Sequence, residues 1–298
     1  MITHIISIDA GGSKTAACIE PLDGSARYSA TGAAASLSHK LDQSCEIIIG
    51  LANELLALAK VKPQQCQIVC GAAGAACEQN RQVLQHHLGA KWAGISIHSD
   101  AQTSLYGAGQ GQPLVVIAIG TGSVAMRLNS DGSEQMFGGW GFVAGDLGSG
   151  ACMGRLAVSR SLVGLDQGLA HSDPLMQAIA QQMGVVIPLK LTARQVILDW
   201  LKNSGATQYA AIAPRIFDLS KTSRLAKDII LQAAQSIEEL IDCAQGINPL
   251  KVALIGGLAY KLEPYLSAKY QAMLVAAKGD ALDGGLYIAR QILRPMGQ

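Results

Sequence analysis

The sequence predicts an α/β fold built twice over, two lobes around a central cleft, and three observations carry that expectation. The order strand, Gly/Ser/Thr turn, strand, Asp-Gly, strand, helix opens the chain and begins again at Leu114, a repeat at domain scale. Each half then closes in alternating strand and helix signals, the pattern of layered α/β architectures. Hydrophobic residues make up 49% of the 298 and charged residues only 15%, so a large core can form and extensive disorder is excluded.

The elements follow in chain order. Ile2–Ile8 reads as a strand and Asp9–Thr15 as a tight turn, followed by a second strand over Ala16–Pro21. Asp23-Gly24 is a hairpin signal, and Arg27–Ala30 supplies a third strand. Leu41–Lys60 carries Ile47, Leu51, Leu55 and Leu58 at helical spacing. Gln67–Ala72 and Ile95–His98 read as strands, each followed by a helix, Glu78–Leu88 and Ala101–Ala108. In the second half Leu114–Ile119, Val124–Leu128 and Glu134–Phe137 are strands, with Gly120–Ser123 and Asp131-Gly132 as their turns. Helices are expected from Gly150 onward, near Pro174–Met183, Thr192–Ser204 and Ser223–Ala244. Lys251–Ile255 and a short Met273–Ala276 are further strands, and Asp280–Leu293 is a closing helix. Residues 1–112 form the expected N-terminal lobe. Residues 113–298 form the C-terminal lobe, with a helical insertion at about 165–245 and a last helix free to pack back on the N-terminal lobe.

Composition excludes several classes. The net charge of +1 and the lack of like-charge runs argue against a nucleic-acid partner or a membrane surface. The longest apolar run, Leu114–Ile119, falls far short of the roughly 20 residues of a membrane span. The chain opens directly on a strand, with no secretory leader pattern. Seven cysteines form no compact framework, so a reduced, cytoplasmic protein is expected. Cys66 and Cys70 flank an apolar strand and read as buried thiols. Aromatics are only 4%, which leaves the interior to Ala, Val, Leu and Ile. Trp200 lies at helical spacing from Val196 and Ile197 and belongs to that interior.

Two turns carry chemistry. A transferable phosphate needs backbone N–H groups, small residues that allow close approach, and hydroxyl or Lys donors. Asp9, Gly11, Gly12, Ser13, Lys14 and Thr15 provide these directly after a strand, the two glycines permitting positive φ. Asp9 at the strand end could hold Mg²⁺, through water because Mg²⁺ dehydrates reluctantly. Gly120, Thr121, Gly122 and Ser123 supply a second cradle at the matching point of the repeat. Neither turn fits the P-loop or the dinucleotide fingerprint.

Strand–Asp-x-Gly-Gly-x-x-Thr–strand with a later Gly-Thr-Gly-Ser resembles the actin-like ATPase/sugar-kinase (ribonuclease H-like) fold. More narrowly, the chain resembles the N-acetylglucosamine and glucosamine kinases and the related BadF/BadG-type activator ATPases. Family members carry Asp-Gly-Gly-Gly-Thr where this chain has Asp-Ala-Gly-Gly-Ser. The resemblance implies ATP and Mg²⁺ as cofactors, a small-molecule sugar as substrate and lobes that close on it. It implies phosphorylation of an amino sugar, N-acetylglucosamine at its 6-hydroxyl, with glucosamine as the alternative. A homodimer is possible on the apolar surface of the helical stretch.

Ser99-Asp100-Ala101 sits at a strand-to-helix junction, where Asp is also a preferred N-cap. The resemblance makes Asp100 the general base on the sugar hydroxyl, a role phosphoryl transfer can use. Gly138–Gly141 places Trp140 among three glycines, before Gly145, Asp146 and Gly148. A rigid aromatic there suits a sugar face, with Asp146 accepting from hydroxyls; packing of Trp140 into the core is the alternative. The kinases' Gly-Gly-Trp-Gly motif matches Gly138, Gly139, Trp140 and Gly141, and Leu147 stands where many members have an acid. Ser36 takes the place of the family's sugar-binding asparagine, and Gly71–Ala75 resembles a second sugar-proximal loop. Gly256-Gly257 matches the family's adenosine-binding turn, and Ala281–Gly285 its terminal motif. The activator ATPases would require cysteines for a shared iron–sulfur cluster; Cys152 lies near the place and has no clear partner. Sugar-sensing repressors of the fold add a DNA-binding arm, for which the opening strand leaves no room.

Overall fold

The computed structural model describes residues 1–38, 40–169, 171–186 and 193–294. They divide into two compact units: 1–114 with 128–134 and the stretch from Ala276 onward, and 115–127 with 135–275.

The first unit is built on a five-stranded sheet in the order β3-β2-β1-β4-β5. Its strands are β1 (His4–Ala10), β2 (Thr15–Pro21), β3 (Tyr28–Gly32), β4 (Cys66–Ala72) and β5 (Gly94–Ser99). β1 pairs with β2 antiparallel and with β4 parallel, in a register that sets Asp9 opposite Gly71. β4 and β5 are also parallel, Ala72 opposite Ser99. β1, β2 and β4 are buried on both faces, which is why they read as apolar runs rather than as alternation; β5 is half-buried and β3, at the edge, is largely exposed. Ile6, Ile8, Ile19 and Ile68 pack on one side with Leu51 and Leu55 of α1 (Leu41–Ala59) and Leu84 of α2 (Glu78–Leu88). Ile5, Cys18 and Val69 face the other side, against Leu282, Leu286 and Ile288 of the closing helix.

That closing helix spans Ala281–Leu293 and crosses α3 (Asp100–Gly109) backbone to backbone. A Cβ on Gly107 would stand 1.8 Å from the Asp280 carbonyl oxygen, and one on Gly284 1.8 Å from that of Thr103. Ser7 fastens the helix to the sheet by donating to the Leu282 carbonyl at 2.8 Å.

The second unit repeats the plan. Its sheet has the order β8-β7-β6-β9, from β6 (Leu114–Ile119), β7 (Ser123–Leu128), β8 (Glu134–Gly138) and β9 (Val252–Ile255). β6 and β9 are parallel, Ala118 opposite Ile255, as β1 and β4 are. The place of β5 is taken by a single parallel bridge, Val252 to Leu274. The strand expected over Met273–Ala276 is therefore absent. Val252 makes both bonds, to the Met273 carbonyl and from the Val275 N–H, and Val275–Lys278 are exposed, with no second face to bury.

Helices cover this sheet: α4 (Gly150–Asp166), α5 (Pro174–Gln182), α6 (Ala193–Lys202), α7 (Ala206–Ala210), α8 (Ala213–Asp218) and α9 (Arg224–Ala244). Thr192, expected to open α6, lies outside the described residues. Short helices α10 (Ala259–Leu262) and α11 (Ala268–Gln271) follow, and the closing helix is α12. Asp173 ties α5 to α9, accepting from Leu175 N–H, from the Ser223 hydroxyl at 2.6 Å and from Leu225 N–H. Buried Arg127 donates to the Ala244 carbonyl, which the end of α9 leaves open, and to the Asn248 carbonyl in the loop beyond it. Trp200 is half-buried against this core, edge-on to Tyr209. None of the described helices is long and apolar enough to cross a membrane.

Candidate active site

In the first unit the carboxyl ends of β1, β4 and β5 share one edge, and three acidic groups gather there. Asp9 is the last residue but one of β1, Asp100 begins α3 after β5, and Asp280 caps α12. Burial pushes the Asp9 carboxyl up to about 6, reinforced by the charges of Asp100 and Asp280 and opposed by Lys14. Desolvation and like-charge neighbours act in the same direction.

The turn after Asp9 is closed by a bond from Gly11 N–H to the Lys14 carbonyl, and Ala35 N–H donates to Gly11. Neither Gly11 nor Gly12 uses the positive φ that glycine permits. Their use is space. A Cβ on Gly11 would press on the Lys14 oxygen at 3.1 Å, while at Gly12 nothing lies within 4 Å. Gly12, Ser13 and Lys14 are exposed. Thr15 differs: it is fully buried and donates to the Ala33 carbonyl at 2.7 Å, so its hydroxyl serves the fold of the turn. Ser36, half-buried, follows on the same loop; its hydroxyl accepts from Ser38 N–H at 3.3 Å.

The N-cap of α3 is Ser99, not Asp100. Ser99 Oγ accepts from Gln102 N–H at 3.1 Å, and the Gln102 side-chain oxygen accepts from Ser99 N–H at 3.2 Å, a capping box. Asp100 accepts only local N–H groups, those of Ala101 and its own residue, and burial raises its pKa above the ordinary carboxylate value. The capping alternative for Asp100 is thereby removed. The signal that could have found this is the Ser-x-x-Gln spacing of Ser99 and Gln102. Asp280 is the group the sequence reading missed; its capping box with Asp283 marks it as a helix start and gives no hint of its neighbours in space.

In the second unit three turns converge. Gly120 follows β6, and Gly256-Gly257 follows β9 on the adjacent parallel strand. Gly256 has φ +93°, and a Cβ there would meet the Ile119 oxygen at 2.4 Å, so glycine is required on both counts. The third turn leads into α4, where Gly150 and Ala151 donate to the carbonyls of Gly120 and Thr121. Asp146, in the left-handed region at φ +55°, accepts from the backbone N–H groups of Ser123 and Gly141, and burial raises its pKa. It thus joins the Gly120–Ser123 turn to the Gly138–Gly141 loop. A Cβ on Gly122 would come within 2.8 Å of that carboxylate. Ser123 is buried and donates to the Leu147 carbonyl at 2.8 Å. Gly139 and Gly141 have positive φ, and Trp140 between them is 82% exposed, which excludes the core alternative. The loop is anchored by Phe142, its ring tilted against that of Tyr209 with centroids 5.3 Å apart.

Cys66 and Cys70 are buried with their thiols pushed up by burial, Cys66 to about 11. Cys152 is buried too, its thiol directed at the Gly145 carbonyl. Among the described residues no group of three or more His, Cys, Asp or Glu is arranged to hold a metal by itself.

The model of the BadF/BadG/BcrA/BcrD ATPase family matches residues 6–281. A glucosamine kinase of Vibrio cholerae is 24% identical over 97% of this chain and 96% of its own. An N-acetylmuramic acid/N-acetylglucosamine kinase of Clostridium acetobutylicum is 23% identical over 96% and 98%. A solved structure from Chromobacterium violaceum, provisionally assigned as an N-acetylglucosamine kinase, superposes with a TM-score of 0.88 at 28% identity, covering 97% of this chain and 99% of that one.

Proposed function

This chain belongs to the BadF/BadG/BcrA/BcrD ATPase family and has the actin-like ATPase/sugar-kinase fold, and on that premise we propose that it is an ATP-dependent amino-sugar kinase. The acceptor is N-acetylglucosamine at its 6-hydroxyl, with glucosamine as the alternative; both names stand among its full-length relatives. The observation that carries the reading is Asp100. It is a half-buried carboxylate released from capping by Ser99, beside Asp9 and its exposed turn.

ATP, when bound, supplies the phosphoryl group and a leaving group already activated. Open space at Gly12 in the first unit, and at Gly120 and Gly257 in the second, leaves each turn room for a phosphate to approach its backbone. Lys14 and Ser13 offer donors on the first turn and Thr121 on the second; Gly256 and Gly257 border the nucleoside. The donor set also suits Mg²⁺ held through water. Asp9 is a carboxylate whose burial and acidic neighbours disfavour its charge, and a cation would offset that cost. Asp100 takes the proton of the sugar hydroxyl as the new bond forms, its raised pKa bringing it nearer the working pH. In the second unit Trp140 offers a face for stacking on a sugar and Asp146 accepts from hydroxyls; in the first unit Ser36 offers a hydroxyl.

Replacing Asp100 by Asn tests the role. Turnover is expected to fall by about 10²–10⁴-fold, while calorimetric titration shows sugar and ATP still bound. Unchanged turnover would return Asp100 to a structural part.

A further inference from the structure

Asp100 owes its place to the first turn of α3, and that turn is held from outside by a residue far along the chain. Glu134, the first residue of β8 and part of the first unit, accepts two hydrogen bonds. Gln102 Nε2 donates to its Oε2 at 2.8 Å, and the Tyr106 hydroxyl donates to its Oε1 at 2.6 Å. Tyr106 is itself fixed by stacking on Tyr287, ring centroids 5.7 Å apart. Both donors lie on α3, four residues apart and so on one face.

We propose that Glu134 is a positioning residue for Asp100, acting through the orientation of the Gln102 side-chain amide. The proposal rests on the reading of Asp100 as the acceptor of the sugar proton. An ionised carboxylate only accepts, whereas an amide has one accepting and one donating end. With Nε2 committed to Glu134, Oε1 of Gln102 is turned to Ser99 N–H, where it completes the capping box at 3.2 Å. Without the carboxylate the amide can rotate and present NH₂ to that N–H, a donor facing a donor. The box then opens at the residue directly before Asp100, and a carboxylate that must align with a hydroxyl loses its frame. Burial first, and nearby N–H groups second, govern the Asp100 carboxyl, so the route proposed for Glu134 is geometric.

Glu134→Ala in the full chain tests this on three readouts. Hydrogen exchange at the Ser99 amide should quicken about tenfold, and kcat should fall about tenfold with the KM for ATP unchanged, a typical size for slight misplacement of a reacting group. The acid limb of the kcat profile should stay where it is. In an Asp100→Asn background the same change should leave residual turnover unaltered, since residues acting as a unit are non-additive. Should Glu134→Ala fold poorly, Glu134→Gln keeps the shape while adding a donor, and should still quicken Ser99 exchange and lower kcat. Equal losses of turnover with and without Asp100, or kcat within twofold of the parent, would overturn the proposal. If the parent protein phosphorylates no amino sugar, the kinase reading fails instead. Ser99 exchange would then still decide whether Glu134 holds the cap, and an unchanged rate would overturn that as well.

Discussion

Asp9, Asp100 and Asp280 form a group whose charges oppose one another, and this sets a pH dependence at the level of single residues. The folded pKa of Asp9 is raised from 3.8 to about 6. Its protonated form therefore favours the fold below pH 4, and that stabilisation is lost as pH rises through 6. At pH 8 the cost is at most about 3 kcal/mol, from 1.36 kcal/mol per pKa unit, and solvent access at the turn reduces it. Asp9→Asn should accordingly raise Tm by a few degrees at pH 8 and change it little at pH 4, while turnover is lost. Melting curves at both pH values check it; a lower Tm at pH 8 would contradict the electrostatic account. The positions of Asp9 and the two glycine turns at strand ends were legible in the sequence because the same order of strand and turn occurs twice. Asp280 was not, since its proximity arises from a helix folded back across the first unit. The direction of the Thr15 hydroxyl was not legible, because it depends on the pleat, and here the pleat turns it to the Ala33 carbonyl.

Among the elements, the crossing of α3 and α12 is the contact with least tolerance. With Cβ positions 1.8 Å from carbonyl oxygens, Gly107→Ala and Gly284→Ala each force the helices apart, at a cost of about 3 kcal/mol, the upper range for overpacking. Gly50 provides the contrast. It is exposed within α1, with nothing within 4 Å of a Cβ, and Gly50→Ala should stabilise by about 0.5–1 kcal/mol. Urea unfolding of the three variants measures both signs. Most elements were legible to within a residue or two: Glu78–Leu88 and Leu114–Ile119 coincide with the structure, and α9 differs only by its Ser223 cap. The miss at Met273–Ala276 has a physical source. Apolar character alone cannot separate a strand from an extended segment with one bonded residue, because the neighbour on the far side decides it.

At the scale of the whole molecule, the duplicated plan was the most legible feature. Strands β1, β2, β3 and β4 find their counterparts in β6, β7, β8 and β9, with the same order and the same parallel pairing. A glycine-rich turn follows the first strand of each copy, which is the sequence signal from which a phosphate site was expected. The identity of the acceptor was less legible. Gly138–Gly150 points to a sugar through an exposed Trp140, but Ser36 and the bare Gly71–Ala75 loop offer few polar groups to tell an N-acetyl group from a free amine. The direct measurement is ADP release in a coupled assay with ATP and Mg²⁺ against a panel of sugars. ADP release with N-acetylglucosamine or glucosamine well above the sugar-free rate, and above that with other hexoses, is the predicted result; release no faster than background with both amino sugars would contradict it.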